Sequence, residues 1–280
     1  MSGISMVKKK GTCPICKGAE IIYQPSGRSK NISYLEVCKC VEEKCICDKK
    51  PPYLYKLVES NTLRQCSCKK SRTKIENIHR LFKISNIPNK YLYRRLTEFT
   101  IENPESDTEL YIALDFAMEF VNLFKKSQQH PNGLYFFGTT GTGKTMLSCL
   151  ILNEIIFRYQ EQVRYIKITR DFFNRIRASF NVESATYGRG DDIFHTLAEQ
   201  EVLVIDDLGV QADSEWEKRT LYDLIDARYE SQKPTIITSN VQPDDWSGLF
   251  DGRVFSRLKE MVRFLPMITD DYRNRYVNKA

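Results

Sequence analysis

In the C-terminal part of the chain, apolar residues gather into short runs separated by polar or glycine-rich stretches. Leu134-Tyr135-Phe136-Phe137 and Val202-Leu203-Val204-Ile205 are unbroken, and Pro234 to Asn240 holds an apolar pair behind a polar tip. Runs this short predict strands, and their lack of alternation predicts strands buried on both faces of a parallel sheet. Val163 to Ile168 alternates and predicts a further strand. Elsewhere the period lengthens. Lys144 to Tyr159 carries Leu147, Leu150, Ile151, Leu152, Ile155 and Ile156 at helical spacings. Thr108 to Lys126 does the same with Leu110, Ile112, Ala113, Phe116, Ala117, Phe120, Val121 and Phe124, and Asp107 is the expected N-cap. Asp171 to Phe180 also reads as a helix, and Lys69 to Lys83 as a charged, partly helical connector. The pattern predicts an α/β fold around a central parallel sheet.

The N-terminal part has a different character. At 280 residues the chain can hold one sizeable core and a small appendage. Residues 1–10 read as a basic tail and 11–70 as a cysteine-rich module turned at Pro51-Pro52, so the expected domains are 1–74 and 75–280. Residues 1–80 hold 17 Lys+Arg against 7 Asp+Glu, whereas the remainder holds 25 against 29. A basic module on a mildly acidic body points to nucleic acid or an acidic protein surface as partner. Lys8-Lys9-Lys10 is followed by no apolar core, so no signal peptide is expected, and no run approaches the ~18 apolar residues of a membrane span. The expected location is cytoplasmic, where disulfides are disfavoured and paired thiolates bind metal. The cysteines Cys13, Cys16, Cys38, Cys40, Cys45, Cys47, Cys66 and Cys68 suit two tetrahedral Zn²⁺ sites. Sequential grouping of the first four and the last four is preferred, with an interleaved arrangement open. Cys149 reads as a core residue, and His79, His130 and His195 share no ligand spacing.

Gly138-Thr139-Thr140-Gly141-Thr142-Gly143-Lys144-Thr145 lies between an expected strand and an expected helix and completes a G-x-x-x-x-G-K-[ST] phosphate-binding loop. Its glycines let backbone N–H groups approach phosphate oxygens, and the helix N-terminus adds partial positive charge. Lys144 reaches the β/γ-phosphates of ATP, and the Thr145 hydroxyl ligates Mg²⁺. Asp206 and Asp207 end the strand that starts at Val202. Asp206 is the expected Mg²⁺ residue, acting through water because Mg²⁺ dehydrates reluctantly. Asp207 is placed to orient or activate the attacking water, or alternatively to cap the segment after it. Asn240, at the tip of the next apolar strand, can reach the γ-phosphate or that water. No Asn-Lys-x-Asp follows the loop, which argues against a GTPase.

Ile87-Pro88-Asn89-Lys90-Tyr91, the phosphate loop, Val204-Ile205-Asp206-Asp207-Leu208-Gly209, Ile237-Thr238-Ser239-Asn240, Arg253-Val254-Phe255-Ser256-Arg257-Leu258 and Asp271-Tyr272-Arg273 occur in that order. Over roughly residues 85–275 the chain therefore resembles the AAA+ ATPases, specifically the bacterial replicative-helicase loaders (DnaC-like) and related transposition helper ATPases. The resemblance implies that Asn240 is sensor 1, that Arg257 is an arginine finger offered to a neighbouring subunit, with Arg253 its rival, and that Arg273 is the sensor 2 arginine. Related motors often carry Glu at the Asp207 position, so slow or partner-stimulated Mg²⁺-dependent ATP hydrolysis is implied. An extra helical element before the acidic strand faces single-stranded DNA in such loaders. Here Arg175, Arg177, Tyr187 and Arg189 are the matching candidates, since bases stack on aromatics and phosphates attract arginine. Some loaders begin with a Cys-Pro-x-Cys knuckle like that at Cys13, while the Cys45 to Cys68 block departs from the pattern.

The function so implied is ATP-dependent loading of the replicative DNA helicase onto single-stranded DNA during replication initiation or restart. The zinc module would dock on the helicase, and an ATP-dependent homo-oligomer would form there. The alternatives are a transposition helper ATPase, and a zinc adaptor whose ATP site is a switch with negligible turnover.

Overall fold

The computed structural model describes residues 13–24, 34–101, 107–125, 133–209, 214–243, 245 and 252–269. The chain forms two compact units that divide between Arg80 and Leu81.

In the first unit β1 (Ile21–Gln24) pairs antiparallel with β2 (Tyr34–Val37), Ile21 opposite Val37. A single turn, α1 (Lys39–Glu42), comes next. A second hairpin pairs β3 (Leu54–Leu57) with β4 (Thr62–Gln65). Every residue of β4 is exposed. The buried cluster here is small, with Val41 and Tyr53 packed beside Cys66 and Cys68. So few apolar side chains give little burial energy to offset chain entropy, as in other small domains. The connector expected at 69–83 is a continuous helix, α2 (Lys69–Ile84).

The second unit begins, after two short 3₁₀ turns, with α3 (Thr108–Leu123). Asp107 is its N-cap residue, as expected, with its carbonyl accepting the Leu110 and Tyr111 N–H groups, but its side chain caps no N–H. Its carboxylate instead accepts the Thr269 hydroxyl at 2.7 Å, so a tertiary partner replaces the local one. Beyond α3 lie β5 (Gly133–Phe137), α4 (Lys144–Tyr159), β6 (Val163–Lys167) and α5 (Asn174–Ala178). Then come α6 (Gly190–Ala198), β7 (Val202–Leu208), α7 (Glu215–Glu230), β8 (Thr235–Ser239), α8 (Arg253–Met261) and β9 (Val262–Pro266). The five strands from β5 onward form one parallel sheet in the order β6-β7-β8-β5-β9. β5, β7 and β8 are buried along almost their whole length, as strands covered on both faces must be.

α4 is buried from Leu147 through Phe157 and ends where Gln160 turns left-handed (φ 57°), its N–H returning to Ile156. α7 starts at Ser214, whose hydroxyl accepts the Glu217 N–H at 3.2 Å. Arg228 on α7 is completely buried, with no carboxylate hydrogen-bonded to it among the described residues. Its guanidinium donates to the carbonyls of Leu197, Ala198, Gln200 and Pro234 and to Thr235 Oγ1, at 2.6–3.0 Å. It satisfies carbonyl groups left unpaired at the end of α6.

Three elements depart from the sequence-based expectation. The helix expected at 171–180 is a π-helical turn, Ile168–Phe173, leading into the short α5. Asp171 accepts the Lys167 backbone N–H at 3.0 Å and so closes the turn upstream of itself. α6 and β9 were not anticipated. α6 is short and interleaves Asp191, Asp192 and His195 with Ile193, Phe194, Leu197 and Ala198, and β9 ends in proline at a sheet edge, where a missing N–H costs nothing.

Candidate nucleotide site and thiol clusters

β5 feeds the loop 138–143 and α4 carries the chain away from it. Gly138 has φ 139°, and a Cβ there would lie 2.4 Å from the Met267 carbonyl oxygen, so only glycine lets the loop leave β5 on this path. Gly143 enters α4 at φ 95°. Lys144, the first residue of α4, is buried, and its ammonium donates to the carbonyls of Gly138 (2.8 Å) and Thr139 (2.5 Å). Its charge is thereby held over the loop.

Asp206 is fully buried on β7, and hydroxyls satisfy both of its oxygens. Thr145 Oγ1 donates to Oδ1 at 2.7 Å and Thr238 Oγ1 at 2.6 Å, while Tyr165 OH donates to Oδ2 at 2.5 Å. Burial first, then the neighbouring Asp206 charge, pushes the Tyr165 hydroxyl far above its ordinary value, so it stays a donor. A buried carboxylate without such donors would be expensive.

Asp207 is turned the other way. The β7–β8 register shifts between Ile205 and Leu208, and Asp207 adopts φ 60°. A bulge of this kind re-aims a side chain beside a site. The Asp207 side chain is 46% exposed, its N–H donates to Thr238 Oγ1 (3.0 Å), and Oδ2 accepts Lys167 Nζ at 2.9 Å. One hydroxyl, that of Thr238, thus donates to Asp206 and accepts from Asp207. Asn240 is exposed just beyond β8. A cavity of about 730 Å³ brings together Lys144, Thr145, Tyr165, Lys167, Asp207 and Asn240, with residues 86–91 along its wall. It opens at the C-terminal ends of the parallel strands, where open α/β sheets bind ligands.

In the first unit the eight thiols meet in the sequential grouping. Cys13, Cys16, Cys38 and Cys40 form one cluster, and Cys45, Cys47, Cys66 and Cys68 the other. Sulfur separations are 3.7 Å for Cys13–Cys38, 3.6 Å for Cys16–Cys40, 3.7 Å for Cys45–Cys47, 3.6 Å for Cys47–Cys68 and 3.9 Å for Cys45–Cys66. Four thiolates about 2.3 Å from a tetrahedral Zn²⁺ stand about 3.8 Å apart, so the residues fit that ion. Disulfide sulfurs would stand at about 2.05 Å. Backbone N–H groups favour the thiolate form. Those of Cys16 and Ile15 draw the Cys13 thiol down to about 7, and those of Cys68, Ile46 and Cys47 help draw Cys66 to about 5. Cys149 is buried apart from both clusters, and among the described residues no histidine joins a metal-ligand group.

Residues 121–280 match the family model of the IstB-like ATP binding proteins, which is more than half of the chain. The chain belongs to that family. As an IstB-like protein it is 28% identical over 145 residues to the replicative helicase loader DnaC of Escherichia coli (strain K12), covering 51% of this chain and 57% of that one. It therefore spans little more than half the length of that relative. A DnaC of Buchnera aphidicola (subsp. Schizaphis graminum) is 25% identical over 186 residues, 66% of this chain and 71% of its own. A crystal structure of the DnaC helicase loader superimposes with TM-score 0.55 at 25% identity, covering 64% of this chain and 99% of that chain. The fold is thus that of the IstB/DnaC-like AAA+ ATPases, with a thiol-rich unit added ahead of it.

The remaining candidates are distributed around the IstB-like domain. Arg257 on α8 pairs through Nε with Asp226 of α7, and its guanidinium lies 5.0 and 5.4 Å from the ring centres of Tyr222 and Tyr229. It is absent from the lining of the nucleotide cavity. Arg253, one turn earlier, is exposed. Arg273 lies outside the described residues. Arg175 and Arg189 share a cavity of about 280 Å³ with Arg164, while Arg177 pairs with Glu217 and stacks over Trp216. Tyr187 is exposed. Among the described residues no helix is long and apolar enough to cross a membrane.

Sequence reasoning missed Tyr165, Lys167 and Thr238 as site residues. The sequence carried no signal for them beyond their place on expected strands, because the order that sets those strands beside that of Asp206 is a property of the folded sheet.

Proposed function

We propose that this protein is an ATP-dependent loader that binds the replicative DNA helicase and helps place it on single-stranded DNA. The observation that carries the proposal is the pairing of two features in one chain. One is an IstB/DnaC-like AAA+ domain with a formed nucleotide crevice; the other is a basic, thiol-clustered unit able to serve as a dock.

In this reading Lys144 and the loop N–H groups bind the phosphates of ATP. Thr145 and Asp206 hold Mg²⁺, whose role when bound is to neutralise charge that builds on the phosphoryl oxygens. Asp207 orients the attacking water, and Asn240 contacts that water or the γ-phosphate. Arg257 must leave Asp226 to reach a neighbour's site, so its availability depends on assembly. Arg253, exposed on the same helix, is the rival finger. Arg175 and Arg189, grouped with Arg164, offer the charge that a nucleic-acid phosphate needs, with Tyr187 as an exposed stacking surface.

Co-purification with the replicative helicase tests the reading. The helicase should be retained by the wild type with ATP and lost from Lys144→Ala. Retention of a transposase instead would move the assignment to a transposition helper. Helicase retention equal with and without nucleotide, and no turnover, would leave a zinc adaptor.

A further inference from the structure

Arg164, on β6, holds an unmet donor. Its Nη1 donates to the Ile84 carbonyl, while its Nε–H is buried with no hydrogen-bond partner among the described residues. A buried guanidinium donor left unmatched is uncommon and calls for an acceptor. Arg164 lines a cavity of about 280 Å³ together with Arg175 and Arg189, and among the described residues no ion pair engages either of those two. Burial and, next, the Arg175 charge draw the Arg164 pKa below its ordinary value, as positive charges set close together do. The acids of the cavity do not cancel this charge. Asp171 already accepts Arg170 Nε at 2.9 Å and Nη2 at 3.0 Å, which leaves Asp192 against three guanidinium groups.

Guanidinium groups meet phosphate oxygens in fork-like pairs, so this lining suits a phosphate. The cavity also shares a wall with the nucleotide crevice. Asn86 lines both, donating through Nδ2 to the Tyr165 carbonyl at 2.9 Å and, more weakly, to Asp171 Oδ2 at 3.5 Å. Asp171 in turn accepts the backbone N–H of Lys167, a residue of the crevice, at 3.0 Å. A phosphate among the arginines repels the Asp171 carboxylate and slackens both contacts. We propose that the Arg164–Arg175–Arg189 cavity seats a single phosphate group, from a single-stranded nucleic acid or free in solution, and that its occupancy loosens nucleotide in the crevice through Asn86 and Asp171. The nucleic-acid source and the coupling rest on the function proposed above; the phosphate seat does not.

The test uses the full chain and a fluorescent oligothymidylate, with the crevice filled by a non-hydrolysable ATP analogue. Arg164→Gln should weaken oligonucleotide binding by about 10-fold, the worth of a charge-assisted hydrogen bond. Because Arg164 also holds the Ile84 carbonyl, the exposed pair Arg175→Ala/Arg189→Ala is made as well, with the same expected loss. In Arg164→Gln the slope of log affinity against log salt should fall by about 0.7, as when one phosphate contact to a single strand is removed. A merely structural loss leaves that slope unchanged. Inorganic phosphate added at constant ionic strength separates the sources: displacement of the oligonucleotide shows that the seat also takes free phosphate, and no displacement restricts it to a strand. The ATP analogue should bind about 5-fold more weakly when the strand is bound, the low end of usual couplings, and Asn86→Ala should abolish that difference. Wild-type affinity and slope in both arginine variants would overturn the seat, and a difference that survives Asn86→Ala would overturn the coupling. If the wild type binds no oligothymidylate, the nucleic-acid contact fails. Phosphorus NMR line broadening of inorganic phosphate, present with the wild type and lost with the double variant, then still decides the seat.

Discussion

Lys167 Nζ lies 2.9 Å from Asp207 Oδ2, so the acid expected to handle the attacking water is held by a lysine from the edge strand of the sheet. Asp207, first, raises the lysine's pKa, and both groups are close to half exposed. An ion pair this exposed is worth no more than about 1 kcal/mol. Lys167→Met should therefore raise unstimulated ATP turnover by about 5-fold while leaving ATP affinity unchanged. Asp207→Asn should lower turnover by about 10²-fold or more with affinity again unchanged, the range for a lost proton-handling group. Steady-state hydrolysis and nucleotide titration check both variants. Equal turnover in Lys167→Met and wild type would show that the pair does not restrain Asp207.

How far the sequence reached is clear around these two acids. The place of the loop between β5 and α4 and of Asp206 on β7 was legible because both follow from consecutive residues and from apolar runs recognisable by themselves. Tyr165, Lys167 and Thr238 were not, because their meaning depends on the order β6-β7-β8, which puts three distant segments side by side. The bulge that separates the directions of Asp206 and Asp207 is likewise a property of two strands together. Asp107 was legible as the N-cap position of α3, but the tertiary hydroxyl of Thr269 that takes its carboxylate in place of a capping N–H was not.

Glu154 on α4 gives a pH-dependent prediction. It is 1% exposed and accepts Arg95 Nε (2.6 Å), Arg95 Nη2 (2.9 Å) and Arg158 Nε (2.7 Å). Burial opposes its ionisation, but the two guanidinium groups outweigh burial and its pKa is lowered from the ordinary 4.5. A depressed carboxyl pKa contributes stability that is complete above the unfolded-state value of about 4.3 and is lost as pH falls through the folded value. Glu154→Gln should cost about 3 kcal/mol at pH 7, the low end for breaking a buried pair because both arginines are partly exposed. Its unfolding curve should converge on the wild type as pH falls through the depressed folded-state value. Urea unfolding measured from pH 7 to pH 3 checks this, and a penalty independent of pH would refute it.

Metal removal should act on one unit only. Protein purified without chelator should carry two Zn²⁺ per chain. Chelation should unfold the thiol-rich unit, whose buried apolar cluster is small, and leave ATP binding intact. Elemental analysis and limited proteolysis read the two halves of this outcome. One Zn²⁺ per chain would retain a single cluster, and none would dismiss both.

Arg257 should act on a neighbouring subunit. Arg257→Ala should reduce stimulated hydrolysis by about 10³-fold or more with ATP affinity preserved. Mixed with Lys144→Ala, it should regain part of the activity, since each variant damages a different half of a shared site. If Arg253→Ala complements Lys144→Ala and Arg257→Ala does not, the finger is Arg253.

In the proposed function, ATP bound in the crevice lined by Lys144 and Thr145 drives transfer of a replicative helicase onto single-stranded DNA. The most direct measurement is helicase retained on covalently closed circular single-stranded DNA after gel filtration at raised salt, with and without this protein. The expected result is retention that requires the wild-type protein and ATP and falls to background with Lys144→Ala. Retention that is the same with Lys144→Ala as with the wild type, or unchanged when the protein is left out, would contradict it.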